Sequence, residues 1–178
     1  MPDWTRRFCL EGRRALITGA SSGIGQAIAE VFADAGADVL GQGRDAARLA
    51  ETGARVAALG RNFAAIPGDL SDAGEVQAIA ARALAAAPRI DILVNSAGIA
   101  LTGPAVGYSL ADWQRTLAVN LTAPFVLAQA LLPNMMERRM GKIINISSQT
   151  GVIALEGHAA YATSKGGLNA LTKSLMVE

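Results

Sequence analysis

A doubly wound α/β fold, one parallel sheet with helices on both faces, is what this sequence predicts, and three observations predict it. Short β-branched or aliphatic runs recur at Ala15-Leu16-Ile17-Thr18, Val39-Leu40, Ile90 to Val94 and Lys142 to Ile146. Longer stretches with helical apolar spacing separate them: Gly25 to Ala35, Asp72 to Ala86 and Trp113 to Arg139. The runs at 92–94 and 143–146 are apolar but for Asn145, the texture of strands buried on both faces. Strands alternating with helices of this length require right-handed crossovers and therefore parallel pairing.

Each element has its own local reason. The first strand passes straight into Thr18-Gly19-Ala20-Ser21-Ser22-Gly23-Ile24-Gly25, and a helical apolar pattern (Ile28, Val31, Phe32) follows at once. The second strand ends at Gly41-Gln42-Gly43-Arg44, with Asp45 beside the start of the next helix. Asp72 to Ala86 repeats Val76, Ile79, Ala80 and Leu84 along one helical face. His158 to Glu178 reads as a helix in spite of Gly166-Gly167, a pair costing about 2 kcal/mol relative to two alanines. That cost points to close approach by a neighbouring element. Leu168, Leu171 and Leu175 have helical spacing suited to the core or a subunit interface.

Composition narrows the function classes. A chain of 178 residues without repeat, linker or charge block is expected to form one domain, 1–178. A net charge of +1 gives no electrostatic footprint for nucleic acid or an anionic membrane surface. Hydrophobic residues at 51% against 17% charged exclude disorder. One cysteine, Cys9, and one histidine, His158, exclude an internal disulfide and a Cys/His zinc site, so no metal is expected. No secretory h-region and no apolar run near the ~20 residues of a membrane span are visible, so a cytoplasmic home is expected.

The glycine-rich turn sits between a strand and a helix, the one context in which it has chemical meaning. Small residues let the backbone approach a pyrophosphate, and the helix amino terminus directs N–H groups and partial positive charge at it. An ordinary tight turn needing glycine at positive φ is the plainer alternative. At the end of the second strand no carboxylate is present to accept a ribose 2′-hydroxyl, and Arg44 follows. Its guanidinium suits a 2′-phosphate; a solvated arginine opening a helix is the alternative.

Tyr161 and Lys165 are four residues apart in a helical segment, so phenol and ammonium share a face. A neighbouring cation favours the phenolate and lowers the phenol pKa. Ser148 lies thirteen residues before Tyr161, just past the apolar run 143–146. In open α/β sheets ligands bind at such strand carboxyl ends. His158 stands three residues before Tyr161 and suits a helix start as well as a substrate contact.

In this order the motifs resemble those of the short-chain dehydrogenase/reductase family, across nearly the whole chain. Its Thr-Gly-x-x-x-Gly-x-Gly is met by Thr18, Gly19, Gly23 and Gly25, and its acidic residue near the adenine by Asp69. Its Asn-Asn-Ala-Gly appears as Asn95-Ser96-Ala97-Gly98, with one departure, and Asn120, Ser148, Tyr161 and Lys165 match its catalytic residues. The resemblance implies a Rossmann-type fold binding NADP, with NAD as the alternative, through Gly19, Ser21, Ser22, Gly23, Ile24, Gly25, Arg44, Asp69, Leu70, Asn95, Ala97, Gly98, Tyr161 and Lys165. For Asn95, stabilising the turn after the strand is an equal alternative, and for Asn120 a polar kink in a long helix is another.

The implied activity interconverts a secondary alcohol and a ketone. Tyr161 would be the general acid/base, with Lys165 lowering its pKa and binding the nicotinamide ribose. Ser148, with Tyr161, would hold the substrate oxygen, and the Asn120 backbone would hold a relay water. The substrate would be a small carbonyl or alcohol: a polyol or ketose, a sugar acid or a 3-oxoacyl group. Family pairing implies a homodimer or homotetramer through helices 112–139 and 158–178. Family members continue past the position of Glu178, so the fold is expected to be carboxyl-terminally incomplete and to lack its last strands. A catalytically poor dinucleotide-binding or oligomerisation module is the alternative function.

Overall fold

The computed structural model describes residues 8–177. Five strands form one parallel sheet: β1 (Arg14–Thr18), β2 (Asp38–Gly43), β3 (Phe63–Pro67), β4 (Ile92–Asn95) and β5 (Lys142–Asn145). Their order is β3-β2-β1-β4-β5. Leu16 pairs with Leu40 on one side and Leu93 on the other, and Leu93 continues to Ile143. The order reverses between β1 and β4, so their connections leave on opposite faces and open a crevice at the strand carboxyl ends.

The helices are α1 (Gly23–Asp34), α2 (Ala46–Ala58), α3 (Ala73–Ala86), α4 (Leu110–Leu117), α5 (Ala123–Glu137) and α6 (Ala159–Leu175). Strand alternation feeds two apolar layers. Ala15, Ile17, Val39 and Val94 point toward Ala29 and Ala33 of α1 and Leu49 and Val56 of α2. Leu16, Leu40 and Leu93 point toward Ile79 of α3 and Leu127 and Leu131 of α5. Asp45, Asp72 and Ser109 cap α2, α3 and α4 by accepting from the backbone N–H groups of Arg48, Glu75 and Asp112.

Four expectations are corrected. β5 is not buried on both faces: as an edge strand it leaves Ile144 40% exposed and Ile143 and Asn145 only partly covered. On α1, Val31 is 64% exposed, and the buried stripe is Gly25, Ala29 and Ala33. Small residues there let the helix lie close to the sheet, and Ile28 and Phe32 pack only at its flank. The long helix at 113–139 is not uniform: a π-helical segment, Ala118–Thr122, joins α4 to α5. Finally, Leu110–Glu137 is long and apolar enough to cross a membrane by length and composition, with mean hydropathy 1.4. Val126, Leu127, Leu131 and Met135 are packed into the core, which accounts for that apolarity.

Candidate functional site

A cleft of about 340 Å³ lies at the switch between β1 and β4. One wall is the turn after β1 with the start of α1, where Gly19 and Ser21 to Gly25 face the space. Gly19 has φ +69°, and a Cβ there would stand 3.0 Å from the Ala97 Cα. A Cβ on Gly25 would overlap the Gly19 carbonyl, whose carbon would be 2.6 Å away. Helix and turn meet because Gly25 lacks a side chain, and the turn meets Ala97 because Gly19 does. Thr18 locks this turn to the opposite wall: its Oγ1 accepts from the N–H groups of Ser96 and Ala97, each at 3.0 Å.

Unlike α2, α3 and α4, α1 has no side-chain cap, and no acid stands in its first turn. Its amino terminus therefore presents unshielded N–H groups to the cleft, an arrangement that suits an anion. Arg44 lies on the same rim after β2, exposed and without an ion-pair partner among the described residues. Asp69 and Leu70 form the next part of the wall. The Asp69 carboxyl is held below the usual carboxylate range, chiefly because its Oδ1 accepts from the Ser71 N–H at 2.9 Å. Burial opposes this, while the Ser71 side chain and the Arg44 and Arg115 guanidiniums reinforce it.

Ala97 and Gly98 face the cleft from the loop after β4, but Asn95, at the end of that strand, does not. Asn95 is 3% exposed and donates from Nδ2 to Asn145 Oδ1 at 2.8 Å, bracing β4 against β5. Gln42, Ser96, Ile99, Arg115 and Val119 also line the cleft, and sequence reasoning had not singled them out. Arg115 stands one helical turn before Val119, a spacing that already put the two on one face.

Past Gly98 the cleft meets a second group of side chains. Asn120 sits in the π-helical segment, 1% exposed, with its amide fully engaged. Its Oδ1 accepts from the Ile99 N–H at 2.9 Å, and its Nδ2 donates to Ile99 O at 2.8 Å and Ser164 Oγ at 3.0 Å. Lys165 is 5% exposed and donates from Nζ to the Ile146 carbonyl at 2.7 Å. The same Nζ lies 5.8 Å from the centroid of the half-buried Tyr161 ring. Burial pushes the Lys165 pKa below the ordinary lysine value. Two of its three donors have no acceptor among the described residues.

Ser148 precedes a 3-10 turn at Gln149–Gly151 and accepts at Oγ from Thr150, from the N–H at 3.3 Å and from Oγ1 at 2.9 Å. The Ser148 O–H can still donate outward from this turn. The turn packs on α6: a Cβ on Gly151 would come within 3.0 Å of the Lys165 backbone. On its other side α6 meets the π-helical segment, where a Cβ on Gly167 would be 2.8 Å from Leu121 Cδ2. That contact explains Gly167; at Gly166 a Cβ would meet only Gly151 O, at 3.6 Å, and nothing in the packing requires glycine there. His158 hydrogen-bonds through Nδ1 to Glu156 O at 2.7 Å, and its ring centroid lies 6.4 Å from that of Tyr161. A carbonyl only accepts, so Nδ1 is the donor in this contact.

With that geometry in place, comparison with known proteins is informative. The family model for short chain dehydrogenases matches residues 13–178. The D-threitol dehydrogenase of Mycolicibacterium smegmatis is 44% identical over 176 residues, covering 96% of this chain and 66% of that protein. A metagenomic short-chain oxidoreductase solved in complex with NADP superimposes with a TM-score of 0.89 at 41% identity, over 93% of this chain and 76% of that one. A 3-oxoacyl (acyl-carrier-protein) reductase from Agrobacterium tumefaciens, solved with NADP bound, gives a TM-score of 0.93 at 36% identity, over 98% and 67%. The chain thus spans about two thirds of the length of the relatives it matches.

Proposed function

The chain belongs to the short-chain dehydrogenase/reductase family, and from that premise we propose that it interconverts a secondary alcohol and a ketone with NADP. The observation that carries this reading is the buried Lys165 ammonium, 5.8 Å from the Tyr161 ring centroid and only 3.6 Å from where a Cβ on the cleft residue Gly98 would stand. The residues present fit the cofactor. The uncapped start of α1 and the Gly19–Gly25 cradle suit the pyrophosphate, and Arg44 suits a 2′-phosphate. Asp69 and Leu70 bound the adenine end. When bound, the nicotinamide supplies or accepts the hydride.

The chain's own residues handle the proton and the substrate oxygen. Tyr161 is the general acid/base: its phenol gives a proton to the substrate oxygen in reduction and takes it back in oxidation. The Lys165 ammonium favours the phenolate, and its two uncommitted donors are available to a ribose hydroxyl and a relay water. Ser148 donates to the same substrate oxygen and stabilises the charge that develops there. Asn120 holds the loop after β4 through its side chain and offers its backbone to the relay.

The substrate class is small alcohols and carbonyls: polyols and their ketoses first, then sugar acids and 3-oxoacyl groups. Self-association is expected through the α4–α5 and α6 faces, where Phe125 and Met136 are 43% and 59% exposed. The deciding experiment is turnover of NADPH or NADP with this panel by the chain and by Tyr161→Phe. The variant is expected to lose at least about 1,000-fold in kcat while NADPH affinity stays within about threefold. Turnover that survives the substitution would overturn the assignment.

A further inference from the structure

Thr52 lies in the middle of α2, fully buried, between Leu49 and Val56 of the apolar layer. A hydroxyl at such a position must be satisfied internally. Its Oγ1 is 2.9 Å from Ala20 O and 3.1 Å from Arg48 O, and it accepts from Gln26 Nε2 at 3.0 Å. The single hydroxyl proton belongs with Ala20. Arg48 O already serves the helical ladder of α2, whereas the Ala20 carbonyl has no other donor among the described residues. Ala20 is itself buried, and its N–H donates to Gln42 O at 2.9 Å. Both polar groups of this residue are therefore fixed, one to β2 and one to α2.

We infer that Thr52 is a positioning residue for the phosphate-binding turn, holding the Ala20 carbonyl back into the fold and away from the bound pyrophosphate. In a trans peptide C=O and N–H point in opposite directions. Tying Ala20 O toward α2 therefore turns the N–H of Ser21, a cleft residue, away from α2. Gln26, reaching from α1, fixes the hydroxyl so that its proton goes to Ala20. With the hydroxyl gone, the carbonyl is a buried acceptor without a donor. It then rotates toward the water of the cleft and presents its negative end to an anionic ligand. The inference rests on the cleft being an NADP site.

The test titrates the wild-type chain, Thr52→Val, Thr52→Ser and Gln26→Leu with NADPH and with adenosine 2′-phosphate, which lacks the pyrophosphate. Valine has the shape of threonine without the hydroxyl. It is expected to weaken NADPH about 10-fold and adenosine 2′-phosphate less than about twofold. Thr52→Ser restores NADPH to within about threefold of wild type, and Gln26→Leu weakens it about threefold. Equal weakening of both ligands by Thr52→Val, no weakening, or a serine variant no better than valine would each overturn the inference. If Thr52→Val fails to fold by circular dichroism, Gln26→Leu decides, and an unchanged ratio of the two affinities overturns it. A wild-type chain that binds neither ligand removes the cofactor reading itself, and this inference with it.

Discussion

At the scale of single residues, the site is a set of polar groups left with unused capacity. Lys165 uses one donor on Ile146 O and keeps two. Ser148 accepts from Thr150 and can still donate its proton. Arg44 keeps its whole guanidinium, whereas Arg48, Arg55 and Arg61 are paired with Asp45, Glu30 and Glu11. An unpaired arginine beside an uncapped helix start is set to receive a phosphate. Arg44→Ala is accordingly expected to raise the NADPH dissociation constant about 10- to 100-fold, the worth of a charge-assisted phosphate contact. NADH, which has no 2′-phosphate, should change less than about threefold. A fluorescence titration of the wild-type chain and Arg44→Ala with both cofactors checks this, and parallel losses would place Arg44 elsewhere than at the 2′-position. Arg44, Ser148, Tyr161 and Lys165 were legible in the sequence as candidates, because the chemistry proposed for them is local to a strand end or a helical turn. Thr52 was not, since its partner Ala20 is thirty-two residues away and nothing near Thr52 marks it.

At the scale of elements, close packing without side chains shapes the site. α1 meets the turn after β1 through Gly25, and α6 meets the π-helical segment through Gly167. Gly25→Ala should therefore act on stability and binding together. Its Cβ would stand 2.6 Å from the Gly19 carbonyl carbon and 3.0 Å from Thr18 O, backbone atoms that cannot swing aside. A loss of about 1–3 kcal/mol is expected from this overpacking, with NADPH binding lost because the turn itself is displaced. Denaturant melts and a binding titration measure the two effects. A variant with wild-type affinity would show that the turn is more pliable than its contacts imply. The strands and most helices could be read from apolar runs and spacing, since each must bury a face. Two features could not. The buried stripe of α1 consists of glycine and alanine, which carry little hydropathy signal, so the larger Val31 was placed inward. The π-helical segment has the composition of an ordinary helix, so its change in winding leaves no mark in the sequence.

At the scale of the molecule, the two ends of the sheet have different tasks. The carboxyl ends carry glycines, an uncapped helix and the polar groups with unused capacity. The amino ends carry a closed ionic cluster around Asp91, which is 2% exposed. Its carboxylate accepts from the Arg14 N–H at 3.1 Å and pairs with Arg138 at 2.9 Å and Arg89 at 3.3 Å. Its backbone donates to Arg14 O and accepts from the Lys142 N–H, so one residue ties β1, β5 and the end of α5 to the start of β4. Asp91→Asn keeps the shape, removes the charge and leaves two guanidiniums unneutralised. Breaking a buried pair costs about 3–5 kcal/mol. Arg138 and Arg89 retain 23% and 47% side-chain exposure and can recover some hydration. The expected loss is therefore nearer about 2–3 kcal/mol, a fall in melting temperature of about 4–10 °C. The cluster lies at the end of the sheet opposite the cleft, so NADPH affinity below the transition should stay within about twofold. Thermal melts with and without saturating NADPH measure both quantities. If affinity fell in step with stability, the sheet would be transmitting strain from one end to the other. If only stability fell, the amino end holds the fold together and the carboxyl end is free to keep its polar groups open for ligands.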